Sequence, residues 1–147
     1  MAIISFFCRR ALEQDEGHAD HHGAYALCLM TLAKDRGVGD AAVLIEQADR
    51  SFRTALQLPG GRTPQNLGNY AVFLAHVRCS HSEAGSYFDQ AIEADPSRAE
   101  TLVNYAHFLE MCEQDDERAQ VAFDRALAVC GDTNAGLLGS YTLNPTP

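Results

Sequence analysis

Cationic side chains are scarce in this sequence. Eleven basic residues, ten of them arginine, stand against 20 acidic ones, for a formal net charge of −9. Such a chain has no surplus of positive charge for neutralising phosphates, which argues against nucleic acid and anionic membrane as partners. Paired cysteines are also missing. Cys8, Cys28, Cys79, Cys112 and Cys130 are odd in number, widely spread and without a CxxC pair, so neither a disulfide framework nor a zinc ribbon fits, and reduced thiols are expected. No long apolar run is present: the opening stretch from Met1 to Phe7 lacks a basic flank, is shorter than a signal core and runs straight into Arg9 and Arg10. A cytoplasmic location is expected, with the nucleus as the alternative.

Proline, at five residues, is too sparse to break a helical chain, and 46% hydrophobic against 21% charged residues is the composition of a folded protein. With 147 residues the length suits one domain. Set against itself at a shift of 35, the chain aligns Asn69-Tyr70-Ala71-Val72-Phe73-Leu74 with Asn104-Tyr105-Ala106-His107-Phe108-Leu109, and five of the six are identical. The same shift pairs Ala84 with Ala119, Phe88 with Phe123, Ala91 with Ala126 and Ile92 with Leu127, spaced as one face of a helix requires. Weaker copies lie upstream: Ala11, Ala19, Tyr25, Ala26 and Leu29 match Ala91, Ala99, Tyr105, Ala106 and Leu109 at a shift of 80, while Ala48, Phe52 and Ala55 match Ala84, Phe88 and Ala91. Between Leu29 and Ala48 the first copy carries nine extra residues.

The periodicity predicts helices near 3–15, 19–35, 41–58, 64–78, 82–94, 98–113 and 117–130, followed by a tail over 133–147. Boundary residues agree with that phasing. Thr63 before Pro64 reads as an N-cap with proline in the first turn, and Asp40 and Asp115 would cap two more helices. Ser80 with Glu83, and Ser97 with Glu100, have the spacing of a capping box. Gly17, Gly60, Gly61 and Gly131 fall where helices should stop.

A helix-turn-helix unit of this length, with a small residue in the first helix (Ala71, Ala106) and Ala-aromatic-Ala in the second (Ala84-Phe88-Ala91, Ala119-Phe123-Ala126), resembles the tetratricopeptide repeat. Asp95-Pro96 closes a repeat as in that family, and the likeness covers roughly residues 5 to 132. It implies an all-α, short right-handed solenoid of about three antiparallel helical hairpins after a leading N-terminal helix, one domain over 1–132 with repeats near 18–60, 63–96 and 97–132. Two departures are visible: the strongest copies run one residue beyond the usual repeat of about 34, and Leu67 or Leu102 stands at the family's early tryptophan position. A related helical repeat with slightly different hairpin angles fits these departures as well.

The resemblance also implies a function. In such stacks the first helices line a concave groove, and the groove positions map to Asp20, Gly23, Leu27 and Met30, then Gln65, Gly68, Val72 and His76, then Glu100, Val103, His107 and Met111. Gly23 and Gly68 would leave pockets, and Met111 could adapt to several partners. The family's best-known ligand is an acidic chaperone C-terminus held by Lys, Arg and Asn; Leu27, Val72 and His107 occupy the clamp positions here and do not build that clamp. The acidic balance suits a protein or peptide partner that is neutral or basic and offers an apolar segment. The resemblance thus implies an adaptor or scaffold, and neither enzymatic activity nor a cofactor is expected. The alternative is self-assembly into a homo-oligomer: the chain opens mid-repeat and has no evident capping helix after Cys130, so Leu137, Leu138, Tyr141 and Leu143 fold back over the last helix, a second copy pairs with it, or a longer array continues it.

Several residues invite a chemical reading. His18 and His22, one helical turn apart with Asp20 and His21 between, have the spacing of a metal clasp but no third ligand, and a solvated turn is the better reading. Cys79, His81 and Cys112 resemble a thiol-imidazole group, yet the cysteines fall near the ends of first helices, where packing is expected. Gly37-Val-Gly-Asp40 lacks the Lys-Ser/Thr sequel of a phosphate loop. Tyr25, Tyr70 and Tyr105 recur at equivalent positions, which points to architecture. The run Val43-Leu44-Ile45 in the extended first copy is either core or contact surface.

Overall fold

A computed structural model describes residues 17–34 and 38–131, with Arg10 and Glu13 of the preceding stretch. Six helices account for nearly all of it: α1 Ala19–Lys34, α2 Val38–Gln57, α3 Pro64–Phe73, α4 His81–Ala94, α5 Ala99–Phe108 and α6 Asp116–Cys130, with no strand among the described residues. The expected helix over 3–15 and the tail over 133–147, including Leu137, Leu138, Tyr141 and Leu143, lie outside them. The most extensive packing joins α1 to α2, α3 to α4 and α5 to α6, and these pairs meet in turn through α2–α3, α1–α3, α4–α5 and α3–α5.

The repeated residues explain that arrangement. Ala26, Ala48, Ala55, Ala71, Ala84, Ala91, Ala106 and Ala126 are fully buried, and side chains this small let helix backbones approach closely. Aromatic rings fill the space left between pairs. Phe52 of α2 lies 5.6 Å from Tyr70 and 5.4 Å from Phe73 of α3, and Phe88 of α4 repeats this at 5.6 Å from Tyr105 and 5.3 Å from Phe108 of α5. Removing each ring from water contributes about 2–3 kcal/mol, so these wedges are large stabilising units.

The nine extra residues of the first copy lengthen a helix: α2 spans 20 residues where its counterpart α4 spans 14. Within it Val43 is exposed, whereas Leu44 and Ile45 pack against the core. Helix α2 begins at Val38, so Asp40, expected just before the helix, stands at its third position.

Thr63 caps α3 by accepting from the Asn66 N–H at 3.2 Å, and Asp115 caps α6 by accepting from the Arg118 N–H at 3.0 Å. Both serines expected in capping boxes act otherwise. Ser80 makes no side-chain cap bond. Ser97 turns its hydroxyl and N–H to Asp95 Oδ1, at 2.7 and 3.0 Å, in a local turn that competes with capping and leaves Arg98 at the N-cap of α5.

The residue that makes this repeat longer than usual has a definite place. Helices α3 and α5 each run on into a five-residue π-helical turn, Leu74–Arg78 and Leu109–Glu113, the form in which a helix absorbs one extra residue. Each turn ends on a left-handed residue, Cys79 (φ 54) or Gln114 (φ 55). The Cys79 and Ser80 N–H groups both donate to the Leu74 carbonyl, and those of Gln114 and Asp115 to Leu109.

Asp49 ties the first pair to the second. Almost buried on α2, it accepts from the Tyr70 hydroxyl at 3.0 Å, Arg53 Nε at 3.0 Å and Arg78 Nη2 at 2.7 Å, while Arg78 Nη1 reaches exposed Glu46 at 2.7 Å. Burial pushes the Asp49 carboxyl up, but the bonds from Arg78, Arg53 and Tyr70 together outweigh it and hold the group below its ordinary value of 3.8. Burial, followed by the bond to Asp49, raises the Tyr70 phenol well above its usual range. Asp49→Ala should cost about 2–3 kcal/mol by leaving the Tyr70 hydroxyl and Arg78 Nη2 without their acceptor, measured by urea unfolding. A group with a depressed folded pKa stabilises above its unfolded value and loses that contribution as pH falls through the folded one. The wild-type chain should therefore shed this stability progressively as pH falls from about 5 through the depressed folded value, and Asp49→Asn should flatten that acid limb.

Candidate partner-binding groove

Successive first helices touch through a glycine and a polar side chain. A Cβ added to Gly23 of α1 would lie 2.4 Å from Asn66 Oδ1 of α3, and one added to Gly68 of α3 would lie 3.4 Å from Thr101 Oγ1 of α5. Gly23 and Gly68 are therefore not open pockets: each is buried, with Asn66 occupying the space beside Gly23 and Thr101 standing in close contact range of Gly68. Asn66, itself buried, donates from Nδ2 to Asp20 Oδ1 at 3.2 Å and to the Gly61 carbonyl at 3.0 Å, so the contact also anchors the turn before α3.

Three of the expected groove residues, Asp20, Leu27 and Gln65, line one open cleft of about 370 Å³ together with Ala24, Asn66 and Asn69. Its rim continues along the N-terminal ends of α3 and α5, where Arg98 Nη2 bonds Gln65 Oε1 and reaches Glu100 Oε2 at 2.8 Å. Asn69 and Arg98 were not singled out from the sequence. Asn69 lies one helical turn after Gln65, so spacing alone could have found it; Arg98, the first residue of the expected helix over 98–113, is the N-cap in the structure, and helical spacing does not single it out.

The remaining expected positions divide. Met30 and Val72, like Leu27, are half-buried and pack against the core, and Val103 is also half-buried. Met30 is one residue out of register, since the repeat places Thr31 opposite His76. His107 lies edge-on to Phe123 at 5.3 Å, with Nδ1 3.6 Å from Glu110, so it belongs to the α5–α6 packing as well. Met111, in the π turn after α5, is 70% exposed. His76 is held below its ordinary value by burial and then by Lys34, His107 and His81. The C-terminal ends of the first helices thus bring cationic and imidazole groups together, opposite the acidic Asp20 and Glu100 at the N-terminal ends.

The residues with tempting chemistry are scattered. His18 stacks on His21 with ring centroids 4.4 Å apart, while His22 lines a different cleft with Tyr25 and Arg50. No group of three or more His, Cys, Asp and Glu side chains among the described residues is placed to hold a metal. Cys79 is exposed at the left-handed end of its turn and not packed as expected, Cys112 is half-buried with its thiol raised by burial, and His81 stands edge-on to Phe108 at 6.4 Å. Tyr70 is core. Cys8 and the phosphate-loop-like segment at 37–40 fall outside the described side chains. No helix of the described residues is long and apolar enough to cross a membrane.

Similarity to known proteins is local. No family model matches the chain. It is similar to a TPR repeat-containing protein of Dictyostelium discoideum, 27% identical over 75 residues, which cover 51% of this chain and 28% of that protein. It is also similar to the protein adenylyltransferase Fic of Aedes aegypti, 32% identical over 95 residues, covering 63% of this chain and 19% of the enzyme. The chain thus spans less than a third of either relative.

The two glycines should respond differently to the same change. Gly23→Ala forces Asn66 off its two acceptors and should cost about 1–2 kcal/mol even after the gain in helix propensity. Gly68→Ala meets only ordinary close contact and should be neutral or stabilising by up to about 1 kcal/mol. Paired urea-unfolding midpoints check both.

Proposed function

We propose that this chain is a tetratricopeptide-like protein-interaction module, with repeats near 18–60, 63–96 and 97–132, that holds a segment of a partner protein along its first helices. The observation that carries the reading is the registration of α1, α3 and α5 through Gly23–Asn66 and Gly68–Thr101, which sets their outer faces side by side and leaves the cleft around Ala24 and Asn69 open. The local similarity to a TPR repeat-containing protein supports it. A preformed surface of packed helices lowers the ordering cost of capturing a flexible segment. The net charge of −9 favours a neutral or basic partner with an apolar stretch. We propose that the module acts by binding, without catalysis, in the cytoplasm or nucleus; adenylyl transfer belongs to the insect enzyme, of which this chain matches 19%.

Ala24→Arg combined with Asn69→Arg fills the cleft and repels a basic partner. Proteins captured from a lysate should fall by at least about tenfold with this variant, and remain unchanged with Glu93→Arg on the exposed face of α4. Equal capture by all three forms sinks the groove reading.

A second reading, self-assembly, rests on α6, where Val121, Leu127 and Val129 are exposed. The interaction-module reading expects a monomer in light scattering coupled to size exclusion over a wide concentration range. A dimer that dissociates with Val121→Asp and Val129→Asp would favour self-assembly.

A further inference from the structure

The two junctions between helix pairs are built from equivalent positions, yet their charges are inverted. In the first, Asp49 receives bonds from Arg53, Arg78 and Tyr70, and the Arg78 guanidinium also lies 6.0 Å above the Phe73 ring. A shift of 36 carries α2 onto α4, and a shift of 35 carries α3 with its π turn onto α5. In the second junction Gly85 then stands for Asp49, Asp89 for Arg53 and Glu113 for Arg78, while Tyr105 and Phe108 keep the aromatic pair. The central carboxylate is gone, and both of its cationic partners have become carboxylates.

What remains is an open cleft of about 350 Å³ whose lining includes Gly85, Asp89, Glu113, Tyr105, Phe108, His81 and Arg118. A Cβ at Gly85 would meet only the Phe108 ring, in ordinary contact at 3.7 Å, so a side chain could be accommodated there, unlike at Gly23. The one guanidinium at its edge is already engaged: Arg118 Nη2 donates to the Tyr105 hydroxyl at 2.6 Å, and Nη1 lies 3.6 Å from Asp115. A vacant place facing two acceptor carboxylates suits a cation and repels an anion.

We propose that this cleft is a socket for an arginine side chain of a protein partner, with the guanidinium against Phe108 and between Asp89 and Glu113. A guanidinium is favoured over an ammonium because it is planar, weakly hydrated, stacks on aromatic faces and can serve two carboxylates at once. The chain already contains that arrangement in Arg78, which bonds two carboxylates beside Phe73. The socket is formed by α4, α5 and α6 and shares no residue with the cleft between α1 and α3, so it stands or falls independently of the groove.

The test is an amide-resonance titration of the full chain by nuclear magnetic resonance with N-acetyl-arginine amide, its uncharged isostere N-acetyl-citrulline amide, and N-acetyl-lysine amide. Arginine amide should give saturable shifts centred on Gly85, Asp89 and Glu113, with citrulline at least about tenfold weaker and lysine weaker than arginine. Gly85→Lys, which places its own ammonium in the cleft, should abolish those shifts. Should that variant fold poorly, the near-isosteric pair Asp89→Asn and Glu113→Gln should weaken arginine binding by at least about tenfold. Citrulline or lysine binding as well as arginine, shifts centred elsewhere, or binding indifferent to the variants would overturn the proposal.

Discussion

Phe52 and Phe88 each rest against a tyrosine and a phenylalanine of the following helix pair, with centroids 5.3 to 5.6 Å apart. This wedge sets the distance between pairs. Alanines bring helices together within and between pairs, but small side chains alone would leave a gap, and a gap between helices forfeits dispersion contacts on both sides. Because the wedge recurs almost unchanged, polar positions around it are free to differ from one junction to the next without altering the stack. The first junction uses that freedom for a hydrogen-bonded ionic cluster around Asp49, and the second for an open cleft beside Gly85.

The extra residue per repeat is accommodated in the backbone, away from the wedge. Placing a π turn at the end of α3 and of α5 rotates the residues that follow, and the left-handed Cys79 and Gln114 then reverse the chain. A left-handed non-glycine residue costs about 1–2 kcal/mol, which the doubly accepting carbonyls of Leu74 and Leu109 help to offset. The first turn also positions Arg78, since the side chain that reaches both Asp49 and Glu46 is the last residue of the π segment.

Helix limits were legible because they depend on local signals. Thr63 before Pro64, and Asp115 before Asp116, cap their helices by bonds to residues three positions on, and no distant partner is needed. Ser97 misled for an equally local reason: its hydroxyl and N–H both donate to Asp95 Oδ1 in a local turn, and its oxygen does not accept from the free N–H groups of the helix. Groove positions were legible only in part. Asp20, Leu27 and Gln65 converge on one cleft, but helical spacing does not reveal that His107 turns onto Phe123, or that Asn66 occupies the space beside Gly23.

The sequence by itself determined the helical content, the repeat, the burial of alanines and aromatics at equivalent positions and the acidic charge, since each follows from periodicity, composition or a cap a few residues long. Only the tertiary structure decided what faces each glycine. An absent side chain is the same in sequence whether its space is occupied, as at Gly23 by Asn66, or left open, as at Gly85. It likewise decided that Asp49, Tyr70 and Arg78 form one cluster. Their partnership spans two helix pairs, and no spacing along the chain encodes which side chains meet when those pairs close on each other.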